Sequence, residues 1–275
     1  MDTGTLLIHK VWNRIKIDYL RESFIDEYRN LLSLAIGKEY QIVSLIEAFG
    51  LIKNNLVGND SKIIALRHDV DLNNVEANRT FFEAEKKYGA KSSFYFRLST
   101  ISAHRDLIRE LLDQGFEVGY HFEEGATVAK REKIKNIGDI VKYKKEVQEL
   151  FINNCNYFRQ YFNKNLASVC SHGDWLNNRL KFANHELIDK ETLAKVNIEF
   201  EAYDTDILSM FDCYVSDVAP YPERWSKNYS LMQALEEKKK KICMLTHEHN
   251  WFPGIIPNTM YSIRRAMDEI VYRYF

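Results

Sequence analysis

Two carboxylates flank a valine in the segment Arg67-His68-Asp69-Val70-Asp71, which follows the short apolar run IIAL. Alternate residues of a strand point to the same side, so Asp69 and Asp71 share one face at the end of a predicted strand. Neighbouring carboxylates repel each other, and they are tolerated where a cation lies between them or where one is protonated. The spacing indicates a metal-binding or acid–base site, with capping of the next helix by Asp71 as the alternative.

Histidines gather at the same kind of position. Five of the eight fall at the carboxyl ends of predicted strands: His68, His121, His172, His247 and His249. In parallel α/β folds these ends form the mouth where active sites are built. His247 and His249 are two residues apart on one predicted strand, so one strand face would present both. Imidazole combined with carboxylate suits Zn, Mn, Fe or Co.

The elements that would position these residues alternate in type after residue 60. The apolar segments predict strands at 62–69, 91–98, 116–123, 166–173, 198–204, 213–218 and 241–249. The segments between them predict helices at 73–88, 103–114, about 129–163, 230–240 and 258–274. This alternation predicts parallel strands joined by crossover helices. Residues 14–53 predict two further helices with a break near Gly37, and no linker separates them from the rest.

Composition and charge narrow the function classes. The 275 residues are 45% hydrophobic and 28% charged, as in an ordinary globular protein, and the net charge of -1 favours neither nucleic acid nor an anionic membrane as partner. No apolar run approaches the ~20 residues of a membrane span, and the first residues lack the pattern of a signal peptide. The four cysteines are scattered without a CxxC pair. We therefore expect a cytoplasmic protein without a thiolate metal site.

In chain order, the segments RHDVD, FYFR, GYHFE, SHGDW and LTHEHNW resemble the polysaccharide deacetylase superfamily. The likeness is to the divergent branch of this NodB-homology, carbohydrate esterase family 4-like group, whose first motif reads RHDVD. It covers about residues 60–275. It implies a distorted (β/α)7-type barrel over 61–275, with an N-terminal helical segment over 1–60 packed against it in the same domain. It also implies a divalent metal, usually zinc, and removal of acetyl groups from sugars, associated with bacterial surface polysaccharide synthesis.

Carried over residue by residue, the resemblance implies Asp69 as general base, Asp71 and His121 as metal ligands, and His247 as general acid. The family's two aspartates are adjacent, whereas Val70 separates them here, so these two roles could be exchanged.

A second departure concerns the third metal ligand. The family's second ligand histidine would fall at Gly125, so another side chain must take its place. His172 is the candidate because it ends the next predicted strand, and Glu123 and Glu124 compete with it.

Substrate contacts are expected from residues beside these motifs. Trp175 would stack on a sugar ring, or lie half-buried. Arg67 would hold a substrate anion or neutralise the neighbouring aspartate. His249 and Trp251 follow the predicted general acid and complete the expected substrate-binding set.

The sequence therefore predicts metal-dependent hydrolysis of an acetyl or similar acyl group from a sugar. Other interpretations stay open. Asp-x-Asp after a strand also opens haloacid-dehalogenase-type phosphatases, which expect Thr or Val where Asn73 stands. The same pattern holds Mn²⁺ against a nucleotide-sugar in glycosyltransferases, although glycine-rich nucleotide-binding motifs are absent. A catalytically degenerate barrel that binds sugar or metal is the third alternative, and Gly125 supports it.

Overall fold

A single parallel sheet organises the protein. The computed structural model describes residues 23–58, 60–162, 164–218, 225–226, 229–252 and 255–274. Within these residues the strands are β1 Gln41–Val43, β2 Ile63–Val70, β3 Ser93–Phe96, β4 Glu117–Phe122, β5 Ser168–Ser171, β6 Phe200–Glu201, β7 Cys213–Ser216 and β8 Lys241–His247. Their spatial order is β6-β5-β4-β3-β2-β8-β7, with β1 paired to the first residues of β2. Every pairing is parallel.

Helices connect the strands and cover the outside of the sheet. In the described residues they are α1 Ile25–Gly37, α2 Leu45–Lys53, α3 Val75–Lys87, α4 Arg105–Asp113, α5 Glu124–Arg131, α6 Ile137–Ile140, α7 Lys144–Phe162, α8 Trp175–Leu180, α9 Lys190–Lys195, α10 Thr205–Leu208, α11 Leu231–Glu236, α12 Glu248–Trp251 and α13 Ile255–Tyr274. None of these helices is long and apolar enough to cross a bilayer.

The sheet is curled, so that strands separated by two others touch across its inside. The thiol of Cys170 on β5 lies 3.4 Å from the carboxylate of Asp69 on β2. The guanidinium of Arg67, also on β2, donates to the carbonyl of Ala202 beyond β6 at 3.2 Å. Gly119 on β4 leaves room for the Tyr95 ring of β3, because a Cβ there would overlap that ring. The predicted distorted (β/α) barrel is therefore confirmed as an incompletely closed barrel whose order ends at β6 and β7.

Strand β2 shows how one sequence serves two layers. All eight of its residues are buried. Arg67 and Asp69 point into the barrel, whereas His68 points to the helix layer and stacks on Phe81 at 4.5 Å. This alternation is the ordinary pleat of a strand. It explains why a charged segment can occupy the centre of the sheet.

Helix α2 closes the end of the barrel opposite the site. The backbone N–H of Ile46, in its first turn, donates to the Glu117 carboxylate at 3.0 Å. The N–H of Leu45 donates to the Ser93 hydroxyl at 2.7 Å. These bonds satisfy two donors that a helix start leaves unpaired. Helix α2 therefore covers the end of the barrel where β3 and β4 begin, and the carboxyl ends of the strands lie at the other end.

The structure corrects three boundary predictions. Residues 14–53 contain β1 between α1 and α2, a strand too short to leave a periodic pattern, and residues 14–22 lie outside the described part. The predicted long helix at 129–163 is divided, because Lys133 adopts φ 51° and ends the first piece. Strand β8 stops at His247, its last partner on β2 being Asp69. His249 therefore lies in the helical turn α12 and shares no strand face with His247.

Candidate active site

The carboxyl ends of four strands converge on one cavity of about 520 Å³. Strand β2 and the residue after it contribute Asp69 and Asp71, β4 contributes His121, the residue after β5 is His172, and β8 ends with His247. All five side chains line the same cavity. The parallel register makes this meeting necessary, since the strands end at one edge of the sheet.

Three of these residues form a tight triangle. The Oδ1 atom of Asp71 lies 3.0 Å from Nδ1 of His172 and 3.4 Å from Nε2 of His121. The two imidazole nitrogens lie 3.3 Å apart. Tetrahedral ligation with bonds of about 2.0–2.1 Å spaces ligand atoms by roughly 3.3–3.4 Å. The spacing fits a single small divalent cation, and Oδ1 of Asp71 is buried without a hydrogen-bond donor among the described residues.

The two imidazoles are oriented by contacts on their other sides. Nδ1 of His121 lies 3.0 Å from the carbonyl oxygen of Cys170, which can only accept, so Nδ1 carries a proton and Nε2 is the ring nitrogen that faces Asp71. Nε2 of His172 faces the Glu123 carboxylate at 3.9 Å. Arg97 holds that carboxylate with bonds of 2.7 and 2.8 Å. Such outer contacts are typical of metal-binding histidines.

Charge in the triangle also suits a cation. Burial alone would raise the pKa of Asp71, but the imidazoles of His172 and His121 hold it well below its usual range. Burial and the nearby Arg97 guanidinium lower the pKa of His172. The triangle therefore offers one carboxylate and a neutral imidazole that is free to act as a ligand.

Asp69 lies beside the triangle with a different environment. It is 1% exposed, and its Oδ2 atom is 3.5 Å from Nη2 of Arg67, 3.8 Å from Nε2 of His121 and 4.0 Å from Nε2 of His247. Burial would raise the pKa of Asp69, but Arg67 and the two histidines lower it below its ordinary value. The carboxylate of Asp69 is thus charged and buried, and it lies next to His121 of the triangle and to His247.

A second set of possible ligands shares His121 with the first and adds Asp69 and Cys170. Burial raises the pKa of Cys170 well above its ordinary value, so the group stays a thiol and donates to Asp69. Metals bind the thiolate rather than the thiol. The set with Asp71 and His172 is therefore the better cation site, and it leaves Asp69 available for proton transfer.

His247 belongs to a dyad that the sequence motifs did not reveal. Its Nδ1 donates to Oδ1 of Asp217 at 2.7 Å, and its backbone N–H donates to Oδ2 of the same carboxylate at 2.8 Å. Burial alone lowers the pKa of His247, but Asp217 outweighs it and raises that pKa to about 10. The imidazole is therefore protonated at neutral pH. The available signal was an aspartate at the end of the predicted strand 213–218.

Two predicted substrate-binding residues are buried beneath the site. Arg67 is fully buried, pairs with Asp69 and stacks on the Tyr203 ring at 4.2 Å. Trp251 is also fully buried, and its indole N–H donates to Asp217 at 2.9 Å. Neither side chain lines the cavity. Arg67 instead holds the carboxylate of Asp69, and Trp251 holds the carboxylate of Asp217, each from the side away from the cavity.

Trp175 and His249, the other two predicted substrate-binding residues, both line cavities. His249 lines the main cavity. Trp175 lines an adjoining cavity of about 210 Å³, which shares Tyr261 and Arg265 of α13 with the main one. Helix α13 thus roofs both spaces.

Three other candidates turn away from the triangle. His68 contacts Thr246 and Glu85 in the helix layer, so four of the five strand-end histidines line the cavity. Glu124 accepts bonds from Tyr120 and Asn154 outside the barrel. Glu123 is held by Arg97 and lies behind His172.

Gly125 is explained by the way in which His172 is held. Asn184 donates from Nδ2 to the carbonyl of His172 at 2.7 Å, and its Oδ1 accepts from the N–H of Ala126 at 2.8 Å. A Cβ at Gly125 would lie 2.7 Å from that Oδ1 atom and 2.9 Å from Leu187. The glycine therefore admits the asparagine that fixes the backbone of His172. A histidine at 125 would displace it.

Replacing Gly125 by Ala is expected to lower the free energy of unfolding by ~1–3 kcal/mol, the usual cost of overpacking a closed site. Urea unfolding measures this change. The matched control is Gly138→Ala on α6, where a new Cβ meets nothing within 4 Å and the change should be neutral or slightly stabilising. Equal stability of the two variants would contradict the tight approach at Gly125.

Comparisons with known proteins give weak structural likenesses only. No family model and no curated protein matches the chain. Peptidoglycan deacetylase PdaC from Bacillus subtilis is 14% identical with a TM-score of 0.41, covering 78% of this chain and 93% of that chain. A mutant of BA3943, a CE4 family pseudoenzyme with restored enzymatic activity, is 11% identical with a TM-score of 0.42, covering 76% and 65%. Identities and TM-scores this low show neither the family nor the activity of this chain, so the function is argued from the chemistry of the site.

Proposed function

We propose that the protein is a metal-dependent hydrolase that removes an acetyl or similar acyl group from a sugar. The observation that carries this proposal is the triangle of Asp71, His121 and His172, with Asp69 on one side. Beside that carboxylate lies the protonated His247. A cation site flanked by a carboxylate and a proton donor is the set that metal-assisted acyl hydrolysis requires.

Zinc is the proposed metal, held by Asp71, His121 and His172. Nitrogen and oxygen ligands at tetrahedral spacing suit it, and three protein ligands leave a position open, as catalytic zinc sites do. When bound, the ion would lower the pKa of water toward ~7 and polarise an acyl carbonyl.

Asp69 is the proposed general base. Its carboxylate is charged at neutral pH and lies next to the cation site without belonging to the triangle. It would accept the proton of the attacking water. Arg67 keeps this carboxylate ionised and fixes its direction from the buried side.

His247 is the proposed general acid. Nε2 faces the cavity 4.0 Å from Asp69, while the other ring nitrogen is fixed by Asp217. It would donate its proton to the departing amine or alcohol oxygen. Asp217 holds the ring so that this proton points toward the substrate.

The proposed substrate class is supported by the sequence resemblance and by the residues that line the cavity. Amide and hydroxyl side chains of Asn178, Asn250, Asn258 and Tyr203 line it, together with Tyr261 from the roof. Such a lining offers both hydrogen bonds and aromatic faces to a sugar. An acetylated saccharide of surface polysaccharide synthesis is the proposed substrate.

The deciding experiment loads purified protein with Zn²⁺, measures metal content, and offers a panel of N- and O-acetylated sugars while free acetate is quantified. Acetate release that disappears with a chelator and returns with Zn²⁺ supports the proposal. Full metal occupancy without release from any sugar would favour a binding barrel instead.

The pH dependence of turnover tests the His247–Asp217 dyad. A free imidazole has a pKa of about 6.5. The pKa of His247 in the folded protein is raised to about 10, which keeps its ring protonated through neutral pH. Replacing Asp217 by Asn removes the charge that raises this pKa. We expect the alkaline limb of kcat to move to lower pH in that variant, as measured from pH 6 to 11.

Stability should follow the same group. Because the pKa of His247 is raised on folding, its stabilising contribution is complete below about pH 6.5 and is lost as the pH rises through about 10. The difference in unfolding free energy between wild type and Asp217→Asn should therefore shrink over this interval. A constant difference, with an unmoved alkaline limb, would exclude His247 as the titrating acid.

A further inference from the structure

The adjoining cavity beside the triangle is lined by two arginines that the proposed reaction does not use. Its volume is about 210 Å³, and it shares Asp71, His172 and Tyr261 with the main cavity, so one bound molecule can extend from the cation site into it. Arg264 and Arg265 line it from the roof helix α13. A group bound in the adjoining cavity can therefore belong to the substrate itself.

The other charged groups of the adjoining cavity are already paired. Lys130 lies 2.6 Å from the carboxylate of Asp174 and 3.5 Å from that of Asp268. The Asp268 side chain is 45% exposed, so solvent screens its charge. Arg97 holds Glu123 with bonds of 2.7 and 2.8 Å. The remaining carboxylate of the lining belongs to the triangle. Neither Lys130 nor Arg97 is thus left to attract a further anion.

Arg264 and Arg265 differ from these two cations. Among the described residues, neither guanidinium forms an ion pair or a hydrogen bond. Arginine stays charged at any pH near neutrality. An excess of positive charge is not a general property of the chain, whose net charge is -1. The two adjacent guanidinium groups therefore form a local excess of positive charge at the adjoining cavity.

The rest of the lining suits a sugar ring. Tyr261 lines both cavities, and its hydroxyl makes no hydrogen bond among the described residues. Trp175, Ile256 and Met260 add an apolar surface that includes an indole ring. Sugars combine hydroxyl groups with apolar ring faces, and aromatic side chains with a polar end match both. The adjoining cavity thus offers a place for a sugar together with two cations for an acidic substituent.

We propose that the adjoining cavity binds the anionic group of an acidic saccharide, with Arg264 and Arg265 as its partners. This substrate class rests on the proposed hydrolase function: the sugar that carries the acyl group lies in the main cavity, and a sugar linked to it carries a carboxylate or a phosphate. Guanidinium groups suit both anions, because their planar donors match two oxygen atoms at once. Both arginines are exposed, so they remain hydrated and charged until the anion binds.

Equilibrium binding separates the effect of charge from that of size. The zinc-loaded full chain is titrated by calorimetry with an O-acetylated galacturonic acid trisaccharide and with the O-acetylated galactose trisaccharide, in which a CH₂OH group replaces each carboxylate. We expect the acidic trisaccharide to bind at least ~10-fold more tightly, as for a charge-assisted contact. The galactose trisaccharide with a 6-phosphate is the third probe, and the tighter of the two acidic probes identifies the preferred anion.

The arginines are tested by Arg264→Gln/Arg265→Gln. In this variant the ratio of the two Kd values should fall to about one, while the Kd of the neutral trisaccharide changes less than ~2-fold. The matched control is Lys86→Gln/Lys87→Gln, which removes the same charge from two adjacent exposed residues in the last turn of α3. That turn precedes β3 and lies at the opposite end of the barrel, so the control should keep the wild-type ratio.

A carboxylate bound directly to zinc would give the same preference in the wild-type protein. That preference would survive in Arg264→Gln/Arg265→Gln, and its survival would overturn the proposal. Equal affinities for the neutral and acidic probes, or no binding of either acidic probe, would overturn it as well. Binding needs no turnover, so an arginine-dependent preference supports the anion site even where no acetate is released. Acetate release without that preference would leave the hydrolase standing and remove the anion site.

Discussion

Replacing Asp71 by Ala is expected to abolish zinc binding and, with it, acetate release. Asp71 is the single carboxylate of the triangle, and its Oδ1 atom lies within 3.4 Å of both imidazole nitrogens. Changes in outer contacts alone cost ~10–100-fold in metal affinity, so loss of this ligand should cost more than ~100-fold. Titration with Zn²⁺ against a chromophoric chelator measures the affinity directly, without relying on turnover.

The matched control for this variant is Asp113→Ala. Asp113 is an exposed residue that ends α4, just before β4 begins, and is thus at the end of the barrel opposite the site. The Asp113→Ala variant should bind zinc with the affinity of the wild-type protein. Unchanged zinc affinity in Asp71→Ala would remove the triangle as the metal site and direct attention to the set that contains Cys170.

Replacing Asp69 by Asn is expected to keep zinc but reduce turnover by ~10²–10⁴-fold, the usual contribution of a general base. The amide has nearly the same shape but does not accept the proton. Single-turnover acetate release on the zinc-loaded protein measures the effect. A turnover loss that tracks zinc loss would instead assign Asp69 to the metal and exchange the roles of the two aspartates.

This variant also leaves the fully buried Arg67 without its carboxylate, which costs ~3–5 kcal/mol in comparable buried pairs. The variant Arg67→Met/Asp69→Asn removes the unpaired charge and should recover much of that stability. Turnover should stay low in this second variant. Recovery of turnover together with stability would mean that Asp69 acts only through the fold.

The sequence predicts those site residues that lie at the carboxyl ends of predicted strands. Asp69, Asp71, His121, His172 and His247 were found in this way, since the carboxyl end of a parallel strand fixes both place and direction. Their shared cavity agrees with that expectation. Their chemical roles stay predictions until the variants above are measured.

Other features depend on tertiary contacts that no local pattern records. Strand β1 forms because three residues pair with the first residues of β2, and Asn184 holds His172 because a 3-10 helical turn brings it there. Trp251 follows a histidine motif, but burial against Asp217 decides what it touches. Asp217 itself carried the strand-end signal and was missed, because nothing near it repeats a known motif.

The alternation of β2 also determines how freely this protein can change over evolutionary time. Arg67 and Asp69 are committed to the inside of the barrel, and His68 is bound to Thr246 and Glu85 in the helix layer. Consecutive residues of β2 thus pack in two different environments, the barrel interior and the helix layer. A substitution that improves packing in one environment does not improve packing in the other. In a complete scan of single substitutions, residues 67–71 should form the least tolerant stretch of the chain, whereas the exposed turns between helices should accept most replacements.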